Sequence, residues 1–359
     1  MTTLVLPKDV LRKKKSEKWR GFPAEVLPLP VAEMDYEIAL SIKQTVIKML
    51  EESDTGYLGS CPELFSSFSD FASLRWNWKV NPEWIYTCTD VGVGMVELSR
   101  RILKTGDKVL INSPVYLNFY SWISEINCKL VDAPLKRDNY DRMKYSLDLN
   151  AIEEGYKNGV KVHYLCNPQN PVGCVHSKEE LVAIANLAQK YGVIVLSDEI
   201  HAPLTYHERD FHPFLSVSDE AREVGITVTS ASKTWNLAGL KCAIIIVASE
   251  KMKALADSMP MAVHYRASLV GAFAHVAAWQ AVDWLDQALA QLQQSKIFLA
   301  DLLSEKLPKV RYRTPDASYL AWLDFKEYGI ETEISKYLLE ESKVALSRSE
   351  EHTSELQSH

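Results

Sequence analysis

Three short polar stretches carry the residue types that could do chemistry. They are Asn167 and Asn170 in CNPQNPVG, Asp198 in VIVLSDEIH, and Lys233 in SASKTWNLAGLK. Each follows a β-rich run, and in open α/β sheets ligands bind beyond the carboxyl ends of the strands. Their order therefore gathers carboxamides, a carboxylate and a primary amine around one crevice. Taken singly, each has a plainer reading. N-P-x-N-P makes a good turn, a strand-terminal Asp caps helices, and a lysine is ordinarily a solvated charge. Together they offer an amine that can add to a carbonyl when neutral, with a carboxylate to hold a cation near it. Whether Lys233 anchors a cofactor or is a surface charge is the first question the fold must answer.

The elements that would position these residues are legible as alternating runs. KVLIN, VKVHYLC, GVIVLSD, GITVTSA and CAIIIVA read as strands, separated by helical segments such as MVELSRRILK and LVAIANLAQKY. Continuous apolar strands alternating with helices predict a doubly wound, mostly parallel α/β sheet covered on both faces. Ser177 and Glu180 form the S-x-x-E signature of a capping box, and Gly192 lies where that helix should stop. Upstream, Ile38, Ile42, Val46 and Met49 recur at helical spacing. Beyond Asp283 a long amphipathic helix and the strand-like SYLAWLDF begin a second, smaller α+β domain. The expected organisation is an N-terminal segment over 1–40, a large domain over 41–284 and a small, incomplete one over 285–347.

Composition narrows the function. A net charge of −7 argues against a nucleic-acid partner, since phosphate backbones are bound by clustered Lys and Arg. The basic run at residues 12–15 reads as a solvated face, and no apolar stretch is long enough to span a bilayer. Six cysteines without a C-x-x-C pair indicate reduced, cytoplasmic usage. Cys166, Cys174, His163 and His176 lack metal-ligand spacing, so no metal site is expected. Residues 348–358, RSEEHTSELQS, can be back-translated into codons that resemble a sequencing-library adapter read in frame. The expectation is an adapter-derived tail over 348–359, with the natural protein interrupted near Ser347.

Over nearly all of residues 10–347 the chain resembles fold-type-I pyridoxal-phosphate enzymes of the aminotransferase superfamily. It is most similar to the MalY/PatB-type cystathionine β-lyases. The similarity is carried by SEKWRGFPAEVLPLPVAEMDY, TGYLG, GDKVLINSPVYLNFY, CNPQNPVGCV, LSDEIHAPLTY, SASKTWNLAGL and ASYLAWLDF. It implies that Lys233 holds the cofactor covalently and then serves as the base at Cα. Asp198 would pair with the pyridine nitrogen, Asn170 would donate to the phenolic oxygen, and Tyr116 would stack on the ring. Gly92 and Val93, in a G-x-G turn before a helix, would offer backbone N–H groups to the phosphate, joined by Ser230 and Ser232. Lys241 stands where many aminotransferases place a phosphate-binding Arg. Tyr57 matches a tyrosine that reaches the neighbouring subunit's phosphate, implying a homodimer with shared sites.

The reaction implied is β-elimination from L-cystathionine or another S-substituted cysteine, giving a thiol, pyruvate and ammonia. His201 stands where related aminotransferases carry Tyr; it either bonds near the phenolic oxygen or is satisfied by the core. Asn167 would shape the turn. Pro30 departs from the family's usual Trp, and the arginine for the substrate carboxylate is expected beyond VALS. Two alternatives stand beside the lyase: an aminotransferase, and a metabolite-sensing regulatory protein with little turnover.

Overall fold

A computed structural model describes residues 4–141, 143–330 and 332–347; the adapter-like tail over 348–359 lies outside them. One compact unit comprises Ile38–Asp286 with Asp316–Ser318. At its centre is a seven-stranded sheet of β1 (Ile85–Cys88), β2 (Lys108–Ile111), β3 (Lys129–Asp132), β4 (Val160–Cys166), β5 (Ile194–Asp198), β6 (Gly225–Thr229) and β7 (Ala243–Ile246). Their spatial order is β1-β7-β6-β5-β4-β2-β3. All neighbours run parallel except β7, which is antiparallel to both β6 and β1.

The five strands expected from apolar runs form, and both faces of the central ones are buried. On β4, Val162, Tyr164 and Cys166 enter one large core cluster with Leu196, Ile226, Val228 and Ile245 from neighbouring strands. β1 and β3 were not expected. β3 is an edge strand with Lys129, Leu130 and Asp132 exposed, so KLVD lacks the apolar run that marks its neighbours.

Helix α1 (Leu40–Glu51) matches the spacing of Ile42, Val46 and Met49. Helix α2 (Val91–Ile102) starts earlier than MVELSRRILK suggests, because Asp90 caps it by accepting from the Val93 N–H at 2.9 Å. Gly92 and Gly94 consequently lie inside its first turn, not in a loop before it. A Cβ on Gly92 would come within 2.8 Å of Trp122, and one on Gly94 within 3.0 Å of Val228. Helix α3 (Asn118–Glu125) contributes that Trp122. Helix α4 (Lys178–Tyr191) opens with the reciprocal Ser177–Glu180 capping box and ends at Gly192, left-handed with φ 69°. Helix α5 (Leu269–Gln280) completes the helices used below.

The second compact unit takes in the described residues before Ile38, Gln287–Pro315, and those from Tyr319 onward. Within it Leu27–Pro28 pairs in parallel with Val344–Ala345, and Arg311–Tyr312 pairs antiparallel with Leu323–Asp324. Only Leu323–Asp324 of the SYLAWLDF stretch is a strand. Among the described residues no helix is long and apolar enough to cross a membrane.

Candidate active site

The register of three parallel strands brings the polar motifs level. Cys166 at the end of β4 pairs with Asp198 at the end of β5, which pairs with Val228 on β6. Asn170 and Lys233 each lie a few residues past those ends, so the loops they occupy flank Asp198. Lys233 is half-buried and its charge acts on both Asp198 and His201.

Asp198 is 5% exposed. Burial pushes its carboxyl up to about 7, against the pull of the Ile200 N–H, 3.1 Å from Oδ1, and of the Lys233 charge. A carboxylate taken out of water in this way is stabilised by any cation brought beside it. Tyr116, 37% exposed, is held at its hydroxyl by Asn118 Nδ2 at 2.9 Å and meets Trp122 edge to face at 6.0 Å between centroids. Burial raises its phenol pKa, as do the charges of Asp198 and Asp90, which places its hydroxyl in the same electrostatic neighbourhood.

His201 is buried, with Nδ1 3.1 Å from Ser318 Oγ. Burial first, and Lys233 second, depress its pKa to about 3, so the imidazole is neutral. Both readings left open for it from sequence have a counterpart here: a core partner in Ser318 and proximity to Lys233. Asn167 is fully buried; its N–H donates to the Asp198 carbonyl at 3.0 Å, its Oδ1 accepts from the His176 N–H at 3.3 Å, and its Nδ2 has no hydrogen-bond partner among the described residues. Asn170 is half-buried, with its N–H on Cys166 Sγ at 3.4 Å.

The expected anion contacts are less uniform. Helix α2 presents the N–H groups of its first turn, but that of Val93 is engaged by Asp90. Lys241 Nζ lies 3.4 Å from Asp90 Oδ2, so its observed partner is the capping carboxylate. Ser230 is turned into the fold: its Oγ lies 2.7 Å from the Cys242 carbonyl and 3.0 Å from His275 Nε2, and accepts from the Ser232 N–H at 3.1 Å. Its single proton is therefore spent on the interior, which departs from the expectation that it binds phosphate. Ser232 is half-buried beside Lys233. Tyr57 is 90% exposed.

A model of the family described as aminotransferase class I and II matches residues 24–357. The chain belongs to that family. Among family relatives, a Mycobacterium tuberculosis protein provisionally named a cystathionine β-lyase is 39% identical, the alignment covering 91% of this chain and 80% of the relative. The cystathionine β-lyase PatB of Bacillus subtilis is 32% identical, over 90% of this chain and 84% of its own length. A Corynebacterium diphtheriae crystal structure, provisionally described as a PLP-dependent β-cystathionase, superposes with a TM-score of 0.90 at 30% identity, covering 97% of this chain and 90% of the other.

The donor set fits the family's cofactor. A buried, cation-seeking carboxylate in Asp198, an amine in Lys233 and a helix N-terminus in α2 answer respectively to a ring nitrogen, an aldehyde and a phosphate. Residues not singled out from sequence complete the surroundings. Asp90 had a local signal, an Asp just before an apolar helix. His275 and Ser318 had none, because each reaches its partner from a distant part of the chain, and Trp122, six residues past Tyr116, reads from sequence as an ordinary helix aromatic.

Proposed function

We propose that this chain is a pyridoxal-phosphate-dependent carbon–sulfur β-lyase. It converts L-cystathionine, or a related S-substituted L-cysteine, and water into a thiol (homocysteine from cystathionine), pyruvate and ammonia. The observation that carries the reading is the placement of Lys233 beside buried Asp198 at the ends of adjacent strands, in a chain similar over nearly its whole length to cystathionine β-lyases.

When bound, the cofactor supplies a carbonyl for amines and an electron-withdrawing ring for the negative charge left at Cα. Asp198 would hold positive charge at the ring nitrogen, the pairing offsetting the cost of its own burial. Lys233, with its amine unprotonated, takes the Cα proton of the substrate. The Cβ–S bond then breaks and the thiolate departs. Tyr116 would cover one ring face and Asn170 would donate to the phenolic oxygen. Gly92, Ser232 and Lys241 serve the phosphate, Lys241 by leaving Asp90. Ser230 acts one step back, holding the Ser232 backbone through its Oγ, and neutral His201 lies within the field of Lys233.

Residues 41–284 form the cofactor-binding domain in this reading. Exposed Tyr57 reaches the neighbouring subunit's phosphate, making a homodimer with shared sites in the cytoplasm.

Purified protein loaded with pyridoxal phosphate should release thiol and pyruvate in equal amounts from L-cystathionine with no 2-oxo acid added. Product formation that requires a 2-oxo acid acceptor would make it an aminotransferase instead. Lys233→Ala should remove the visible band of the bound cofactor and lower turnover by about 10³-fold or more.

A further inference from the structure

One buried side chain ties together the two loops that carry Tyr116 and Asn170. Gln169 is 1% exposed. Its Nε2 uses both hydrogens, donating to the Asn112 carbonyl at 2.8 Å and the Pro114 carbonyl at 2.8 Å. Its Oε1 lies 3.3 Å from His176 Nε2, which also lies 3.1 Å from the Cys166 carbonyl. Both neighbours of that nitrogen are acceptors, so the ring carries its proton there. In the backbone, the Gln169 N–H donates to the Cys174 carbonyl at 2.9 Å and its own carbonyl accepts from Gly173 at 2.7 Å. All of its polar groups are engaged, and the side chain spans from the 166–176 loop to the 112–116 turn.

The far side of this bridge is itself anchored. Asn112 Nδ2 donates to the Ala133 carbonyl at 3.0 Å, and Asn112 Oδ1 accepts from His163 Nε2 at 2.7 Å. His163 Nδ1 accepts in turn from the Tyr156 hydroxyl at 2.8 Å. Burial holds the His163 ring neutral, its pKa lowered to about 3, so each link has one donor and one acceptor. A network in which every member is satisfied rigidifies what it connects, whereas one with a missing member is costly.

We propose that Gln169 is a positioning residue that fixes the ring of Tyr116 relative to the amide of Asn170, and thereby sets the affinity of the site for pyridoxal phosphate. The proposal rests on the cofactor reading above and assigns Gln169 no contact of its own, since its polar groups are engaged by the protein. Neither motif residue could be held this way by its own loop: the turn at Pro114 has two carbonyls facing inward, and only a carboxamide of this length offers two N–H groups to them and an acceptor to His176. A carboxylate of the same shape would set negative oxygen against two carbonyl oxygens.

The test is the dissociation constant for pyridoxal phosphate, measured by fluorescence quenching of the cofactor-free protein, together with the position of the visible band. Gln169→Met keeps the length and loses the donors; Gln169→Glu reverses their polarity. Tyr164→Phe, which removes the buried hydrogen bond between β4 and Ser99 of α2, serves as the structural control. Gln169→Met should raise the dissociation constant about tenfold or more, the equivalent of about one lost hydrogen bond in binding, and shift the band, with Gln169→Glu worse. Tyr164→Phe should lower the melting temperature and leave both readouts unchanged. The proposal is overturned if Gln169→Met lowers the melting temperature like the control while its dissociation constant stays within about twofold of wild type. If Gln169→Glu does not fold, Gln169→Met decides alone; if Gln169→Met does not fold either, Gln169 serves the fold as a whole and the proposal is wrong. Failure of the wild-type protein to develop a band with pyridoxal phosphate would instead sink the cofactor reading.

Discussion

Asp198 and Glu199 are consecutive, both carboxylic acids and both buried, yet the structure uses them in opposite ways. A strand end sends successive side chains to opposite faces. Asp198 faces the polar cluster, where Lys233 supplies the nearest charge and Ile200 a single N–H. Glu199 faces the layer behind, where its Oε1 accepts from Phe214 N–H at 2.8 Å, Ser197 Oγ at 2.9 Å and Thr227 Oγ1 at 3.3 Å. Its backbone continues the work: Thr229 Oγ1 donates to the Glu199 carbonyl at 3.0 Å. Among the described residues one carboxyl accepts from a single N–H; the other accepts from three donors and ties β5 to β6 and to the 214–216 turn. Burial raises both pKa values, Asp198 to about 7 and Glu199 to about 8. A raised pKa therefore does not by itself tell these two carboxyls apart; their hydrogen-bond partners do.

Substitution at each position should separate the two roles. On the proposed role of Asp198 at the ring nitrogen, Asp198→Ala should lower turnover by about 10³-fold or more. The cofactor-free variant should remain folded, because no hydrogen-bond network loses its centre. Glu199→Ala should act the other way. It strands three donors and should cost about 3 kcal/mol in chemical denaturation, while the folded fraction keeps turnover within about tenfold of wild type. Equal stability losses in the two variants would erase the distinction.

A further effect is in pH dependence of the cofactor-free protein. A carboxyl whose folded pKa lies above its unfolded value of about 4 binds more protons when folded. Its stabilising contribution is complete below pH 4 and is lost as pH rises through the folded value. Wild-type protein should thus lose stability from about pH 4 to about pH 7 through Asp198, with Glu199 extending the decline to about pH 8. Asp198→Asn should remove the first part, on the order of 4 kcal/mol, and keep the second. Denaturation midpoints at pH 5 and pH 8 would show it; an unchanged slope would mean that Asp198 is already compensated without cofactor.

Much of the fold was legible where hydrophobic pattern and hydrogen-bonding chemistry agree locally. The apolar runs from β2 to β7, apart from edge strand β3, are buried on both faces, so their sequences are continuously apolar. The capping box at Ser177 and Glu180 is a contact between residues three apart and is readable from those two letters. β1 and β3 were not legible, since short or edge strands owe their pairing to a neighbour rather than to their own pattern. The start of α2 was misplaced because two glycines read as loop. They are required instead by the approach of Trp122 and Val228 to the helix.

The same division holds at the candidate site. The amino-acid sequence alone determined that Asn170, Asp198 and Lys233 would sit at strand ends, because the order of strands and helices restricts an α/β chain to few topologies. Only the tertiary structure decided what each group faces. It turned Ser230 inward to Cys242 and His275, gave Lys241 to Asp90, paired His201 with Ser318, and set Asp198 and Glu199 on opposite sides of one strand end. Those outcomes depend on partners far apart in the chain, and burial and hydrogen bonding act on distances in space, which local sequence does not encode.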